Sequence, residues 1–265
     1  LAAGVAIALL VGIMGYVFVR GLPQISWQFL STVQSSLKGT FGILGNIINT
    51  IYIIVITLII AAPIGIGSAI YLNEYAKPGK LVRTIEFTTE ILSGIPSIIF
   101  GLFGMVFFGM TLKLGYSVLT GSFTLTLMVL PLITRNTQEA LKTVPDSYRS
   151  GALGIGATKW YMIRTILLPS AAPGILTGVI LSIGRIVGES AALLFTAGSG
   201  FQLPKNLFGK LFESSGTLTI QLYLSMQKAK YDQAFGIAVV LLIIVLVINL
   251  LTRFLTNRFD VTKLK

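Results

Sequence analysis

Residues 174–198 read GILTGVILSIGRIVGESAALLFTAG, an apolar run long enough to cross a hydrocarbon core that nevertheless carries Arg185 and Glu189 near its centre. A bilayer-spanning helix needs about 20 consecutive apolar residues. A charge at the middle of such a helix costs roughly 2.5–3.5 kcal/mol on insertion scales, so charged residues there usually face a bundle interior or a water-filled path. The stretch therefore indicates a membrane fold and also asks what the buried charges are for.

The rest of the chain has the same character. It is 54% hydrophobic and 11% charged, and its apolar residues form long runs rather than the alternation of a soluble fold. The runs predict an all-α membrane protein with six spans near residues 1–19, 47–72, 91–112, 116–134, 174–197 and 235–255. The fourth is the weakest, because Gly121 and Pro131 interrupt it and only Phe123 to Ile133 is strongly apolar. Residues 1–19 lack a basic leading region and read as a mature span rather than a signal peptide. Nothing marks a second domain, so residues 1–265 are expected to form one transmembrane unit. With neither cysteine nor histidine, thiolate and imidazole metal sites are excluded, and most hydrolase readings weaken with them.

Lys and Arg outnumber Asp and Glu by 20 to 9. In a soluble chain that excess could mean nucleic acid. Here the positive charges flank the spans and set topology, so the partner is membrane lipid and not nucleic acid. Placing both termini in the cytoplasm of a multi-pass cell-membrane protein puts segments 73–90, 135–173 and the tail after 255, with Lys263 and Lys265, on the inside.

The longest inside segment, 135–173, is too patterned for a floppy connector. Pro145, Asp146 and Ser147 make a helix start, with the proline pre-set for the first turn and the acid near the positive end of the dipole. Trp160, Ile163 and Leu167 recur at helical spacing and predict a second helix along the membrane surface that ends at Pro169. Between them, Gly151 and Gly156 have the spacing of the glycines in a phosphate-binding loop. Ala157 follows where the motif's Lys belongs, and no strand precedes, so the chain itself holds no ATP there. The glycines mark either a turn of small residues or a place where another protein's backbone comes close.

Arg149 to Pro169, RSGALGIGATKWYMIRTILLP, resembles the EAA loop of ABC importer permeases. Gly151 and Ala152 fall on its two alanines, Gly156 on its glycine, and Leu168-Pro169 on its closing pair, while Ser150 stands where the family has glutamate. Four further stretches, YLNEYAKPG at 71–79, ILSGIPSIIFGLFG at 91–104, LTLMVLPLITR at 125–135 and GRIVGESAALLFTAG at 184–198, are similar to the PstA-type phosphate permeases. The resemblance implies a type I importer (MetI-like) bundle of about six helices. It also implies transport of inorganic phosphate without hydrolysis by this chain, and an ATPase-coupling loop built on Ser150, Gly151, Ala152, Gly156 and Ala157. Its partners would be a PstC-type sister permease, a dimer of PstB-type ATPases carrying the ATP and Mg, and a PstS-type phosphate-binding protein.

Arg185 could be one half of a packed pair with Glu189 four residues on, or a fixed charge on a substrate pathway. An isolated pair is an expensive way to hold helices, so the pathway reading is preferred. Arg135, expected at the cytoplasmic end of the fourth span, is either a topological anchor or a second pathway residue. PstA-type relatives continue from this arginine with Thr-Thr-Glu, where this chain has Asn136, Thr137 and Gln138. Pro96, between Ser93 and Ser97, leaves open whether those hydroxyls repair freed backbone groups or line a path. An arginine suits any tetrahedral oxyanion, so sulfate, molybdate and the sister phosphate subunit are the alternatives within transport. A proton-coupled transporter using Glu189 is a further alternative, but it would need no surface loop. An intramembrane protease would need histidine or paired aspartates.

Overall fold

A backbone crossing hydrocarbon must satisfy its own hydrogen bonds, and the apolar runs fold accordingly as helices. The computed structural model describes residues 2–35, 40–204 and 206–259, so the expected basic tail with Lys263 and Lys265 lies outside the described residues. In chain order the helices are α1 (Ala2–Gly21), α2 (Trp27–Ser31), α3 (Leu44–Ile70), α4 (Lys80–Gly94), α5 (Ser97–Gly104), α6 (Val118–Lys142) and α7 (Asp146–Gly154). They continue as α8 (Lys159–Met162), α9 (Leu168–Gly188), α10 (Ala191–Thr196), α11 (Leu207–Lys210), α12 (Leu218–Gln227) and α13 (Tyr231–Phe259). Between α2 and α3 a short antiparallel hairpin pairs β1 (Val33–Ser35) with β2 (Thr40–Ile43), Val33 lying opposite Ile43. Wide π-helical turns follow α3 at Tyr71–Tyr75, follow α5 at Met105–Thr111 and join α8 to α9 at Ile163–Leu167.

Among the described residues five helical segments, Ala2–Gln24, Leu44–Tyr75, Val118–Lys142, Lys159–Gly188 and Tyr231–Leu251, are long and apolar enough to cross a membrane. The pair Lys80–Gly94 and Ser97–Thr111 is the sixth candidate. The third expected run, 91–112, is thus a broken one. Pro96 has no N–H for the carbonyl of Leu92, which takes the N–H of Ile95 at 3.4 Å instead. Ser93 Oγ donates to the carbonyl of Glu90 at 2.7 Å, near the break.

Other boundaries also move. The segment weakest by hydropathy, α6, has 67% of its apolar window buried, the largest share of the five candidates, and its polar residues face protein rather than lipid. It also runs through Arg135 to Lys142, so Arg135 lies about two turns inside the helix instead of closing it. Pro169 does not stop the second loop helix. The wide turn before it, with Leu168 N–H bonded to the carbonyl of Ile163, carries the chain directly into α9. Of the three residues at helical spacing in that segment, Ile163 and Leu167 are buried and Trp160 is exposed. Finally, α9 ends at Gly188, which places Arg185 in its last turn and Glu189 beyond it.

The chain forms two compact units. The first comprises Leu1–Ile56, Ser97–Thr124 and Val187–Leu246. Its core gathers Phe29, Ile43, Leu218, Ile237 and Val240. Asn46 and Asn49 tie α3 to the loop region by donating to the carbonyls of Gly216 (2.9 Å) and Gly200 (3.0 Å). Gly101 permits α5 to lie against Ala192, whose Cα would be 2.8 Å from an added Cβ. The side chains of α1 are exposed along nearly its whole length in this single chain.

The second unit comprises Thr57–Pro96, Leu125–Ile186 and Val247–Lys265. Here Leu141, Val144, Ala152, Met162, Ile163 and Leu167 form a core, with Ile66 and Ile70 of α3 packed against it. Three glycines bring helices close to α6. Added Cβ atoms would lie 2.7 Å from Ile133 Cγ2 at Gly65, 2.6 Å from Ala140 Cβ at Gly174 and 2.6 Å from Asn136 Cβ at Gly178. Gly67 is different, with nothing within 4 Å of an added Cβ.

These spacings give a test of packing. Gly174→Val forces α9 off α6 and is expected to destabilise the protein by about 1–3 kcal/mol, the usual overpacking cost. Gly67→Ala, in open space inside α3, is expected to be neutral or to stabilise by up to about 1 kcal/mol through helix propensity. Thermal unfolding of the two detergent-solubilised variants checks the contrast.

Candidate functional site: an arginine-lined cavity and a folded loop

In the second unit a cavity of 410 Å³ opens between α4, α6 and the end of α9. That volume is in the range of small-molecule sites. From α6 come Met128, Pro131, Leu132, Arg135, Gln138, Glu139 and Lys142, whose three- and four-residue spacing puts them on one helix face. From α4 come Glu86, Thr89, Glu90 and Ser93 at the same spacing, and Arg185 enters from the last turn of α9. The cavity thus combines three cations with three carboxylates.

The ionic partners of these groups differ. Lys142 reaches Glu139 at 3.7 Å, a largely exposed pair of little energetic weight. Arg135 and Arg185 make neither an ion pair nor a hydrogen bond among the described residues, and both line the cavity. A guanidinium offers five N–H donors in a fixed fork that matches carboxylate or phosphate oxygens. Two such forks without side-chain partners among the described residues line one cavity. The position of Arg185 also removes the puzzle of a charge at mid-helix. At the C-terminal end of α9 it meets the negative end of the helix dipole, which favours a cation.

Glu189 belongs to the first unit and is engaged there. Its Oε1 accepts the N–H of Ala192 at 3.0 Å, bridging the break before α10, and its carbonyl accepts the Thr219 hydroxyl at 2.8 Å. Among the described residues no ion pair joins it to Arg185, and the helix that would have aligned the two at four-residue spacing ends between them.

The loop residues divide by exposure. Ala152 is buried and Ala157 half-buried against the core, whereas Ser150, Gly151 and Gly156 are exposed. Asp146 begins α7 directly after Pro145, as the sequence predicts. Ser150 Oγ folds back on its own helix, donating toward the carbonyls of Asp146 (3.1 Å) and Ser147 (3.3 Å). Gly156 ends α7 with φ +84°, a conformation other residues adopt only with strain, while a Cβ there would touch nothing. Backbone geometry therefore requires this glycine. Beside these small residues the loop exposes Leu153, Ile155, Trp160 and Tyr161, with Ile155 86% exposed.

Underneath lies a group that sequence spacing does not connect. Arg149 Nη2 meets Glu74 Oε1 at 2.9 Å and the carbonyl of Leu141 at 3.0 Å. Its Nη1 reaches the carbonyl of Val144 at 2.9 Å and Asp146 Oδ1 at 3.1 Å. Glu74 is 75 residues away in the chain and its side chain is only 5% exposed. Its carboxylate holds the Arg149 guanidinium above the ordinary arginine pKa.

The family described as "Binding-protein-dependent transport system inner membrane component" matches residues 61–262, which include both the cavity and the loop. A probable ABC transporter permease protein, YqgI of Bacillus subtilis, is 36% identical over 270 residues, covering 96% of this chain and 91% of the relative. A phosphate transport system permease protein PstA of Xylella fastidiosa is 32% identical over 239 residues (90% and 83%). A PstC of Mesorhizobium japonicum is 30% identical over 294 residues (98% and 86%). In fold, the MetNI methionine ABC transporter superposes with a TM-score of 0.61 at 20% identity over 93% of this chain and 97% of that one. With its membrane-length helices and its family match, the chain belongs to the binding-protein-dependent inner-membrane permeases of ABC importers.

Proposed function

We propose that the chain is a phosphate-translocating permease subunit and that Arg135 and Arg185 receive the anion in the cavity of the second unit. The observation that carries this reading is that both guanidiniums line one cavity with no ionic or hydrogen-bonded partner among the described residues. Each can offer two parallel N–H donors to a tetrahedral oxyanion. Glu86, Glu90 and Glu139 on the same walls temper the positive field, since conduction needs binding that is weak enough to release. Glu189 serves the path by fixing the turn that follows α9. The choice of phosphate over sulfate or molybdate rests on the PstA-type stretches and the PstA relatives. The likeness to a PstC also keeps the sister phosphate subunit as a second reading, and co-purification with a PstC-type rather than a PstA-type permease would decide for the first.

In this reading the cell membrane holds the chain with both termini in the cytoplasm. ATP and Mg act on partner PstB-type ATPases, and a PstS-type protein delivers phosphate from outside. The ATPase meets Ser150, Gly151 and the apolar side chains Leu153 and Ile155. Ala152 and Ala157 support that face from beneath.

Two variants test the reading in reconstituted vesicles containing the whole complex. Arg185→Leu is expected to lower phosphate uptake at least tenfold, because a charge-assisted hydrogen bond contributes about 1.5–3 kcal/mol. Assembly should survive, since Arg185 holds no other residue. Uptake that persists, or an excess of sulfate that competes with phosphate, overturns the assignment. Separately, Gly151→Trp places bulk on the exposed face of α7 without backbone strain and is expected to abolish co-purification of the ATPase. Normal retention and transport would remove the docking role.

A further inference from the structure

We propose that Arg149 is a positioning residue for transport, fastening α7 to the wide turn at the end of α3 so that the two move as one body when the loop is displaced. This rests on the reading that α7 docks the ATPase, but it makes a different claim. Docking concerns the exposed face of α7, and the Arg149 clasp is on the face beneath it.

The geometry gives the clasp four attachments. Arg149 binds Glu74 in the turn after α3, the carbonyl of Leu141 in the last turn of α6, the carbonyl of Val144 in the connection, and Asp146 at the start of its own helix. Asn73 Nδ2 steadies the carboxylate by donating to Glu74 Oε1 at 2.7 Å. The next residue in the turn, Tyr75, has Lys159 Nζ 5.0 Å from its ring centroid, so the start of α8 grips the same turn. Ile66 and Ile70, in the last turns of α3, pack on the core that holds Ala152, Met162 and Ile163. Thus the helices on both sides of Gly156 are attached to one turn of α3.

The nature of that turn makes the attachment more than stability. Residues 71–75 are π-helical, closed by Ala76 N–H to the carbonyl of Tyr71 at 2.9 Å. Such turns are weak points at which a helix changes direction. Without the clasp, a push on α7 could be absorbed at this turn. With Glu74 and Tyr75 both held, the push passes into α3.

The test uses the complete complex with its ATPase. The chain has no cysteine, so spin labels attach only where cysteines are introduced. Labels at Tyr71→Cys and Tyr148→Cys, two exposed positions on the joined elements, report the distance between them. The expected result is one unchanged distance in the nucleotide-free and ATP-trapped complexes. In Glu74→Ala the distance should vary between the two states, and phosphate taken up per ATP hydrolysed should fall at least tenfold while the ATPase still co-purifies. A distance that changes between states with Glu74 intact overturns the proposal without needing any clasp variant to fold. So does Glu74→Ala with an unchanged uptake-to-hydrolysis ratio, or one that loses the ATPase, which would make the clasp a support for docking only. Failure of the docking reading itself would show separately, as Gly151→Trp retaining its ATPase.

Discussion

The cavity-bearing unit depends on how closely other helices approach α6. In hydrocarbon, lipid tails are as apolar as leucine, so burying leucine against leucine drives little association, and helices hold together where small residues let backbones approach. Gly65, Gly174 and Gly178 supply that closeness from α3 and α9. Because α6 is gripped through small side chains on these sides, the face bearing Met128, Arg135, Gln138 and Lys142 can be given to the cavity. Packing and cavity are therefore two faces of one helix.

The same unit uses arginine in two opposite ways. Arg149 has its donors taken up by a carboxylate, two carbonyls and an aspartate. Arg135 and Arg185 are left with no protein partner among the described residues. A saturated guanidinium behaves as a fastener. An unsaturated one keeps its donors free, and on the reading proposed above those donors would receive the anion.

Much of this was legible in the residues. Long apolar runs announced the spans, and Pro145-Asp146 marked the start of α7 because proline and an early acid each suit a helix N-terminus. The misplaced boundaries have separate causes. Pro169 reads as a stop only if the ladder is α-helical throughout, and a wide turn at 163–167 avoids the conflict. Hydropathy treats the surroundings as lipid, so it undervalued α6, whose surroundings are protein. The break at Glu189-Ser190 carries no proline to announce it. Arg135 and Arg185 were visible as isolated charges, whereas their shared cavity with Glu86 and Glu90 depends on tertiary arrangement. The Arg149 clasp was invisible for a similar reason, since its partner is 75 residues away and lies in a different motif.

The wide turn at Ile163–Leu167 has a consequence for chain length. A helix advances about 100° in azimuth and 1.5 Å in rise with each residue. The turn holds an extra residue relative to α-helical winding, and everything from Leu168 to Gly188 follows it as one rod. The turn takes up its extra residue locally, so losing that one would restore α-helical winding with little change of aim, whereas losing a residue of α9 between Leu168 and Arg185 would carry Arg185 about 100° around the helix axis, away from the cavity wall. The composition of α9 would nearly survive such a deletion and its aim would not, so within α9 residue number constrains the chain as strictly as residue type, while the wide turn before it has one residue to spare.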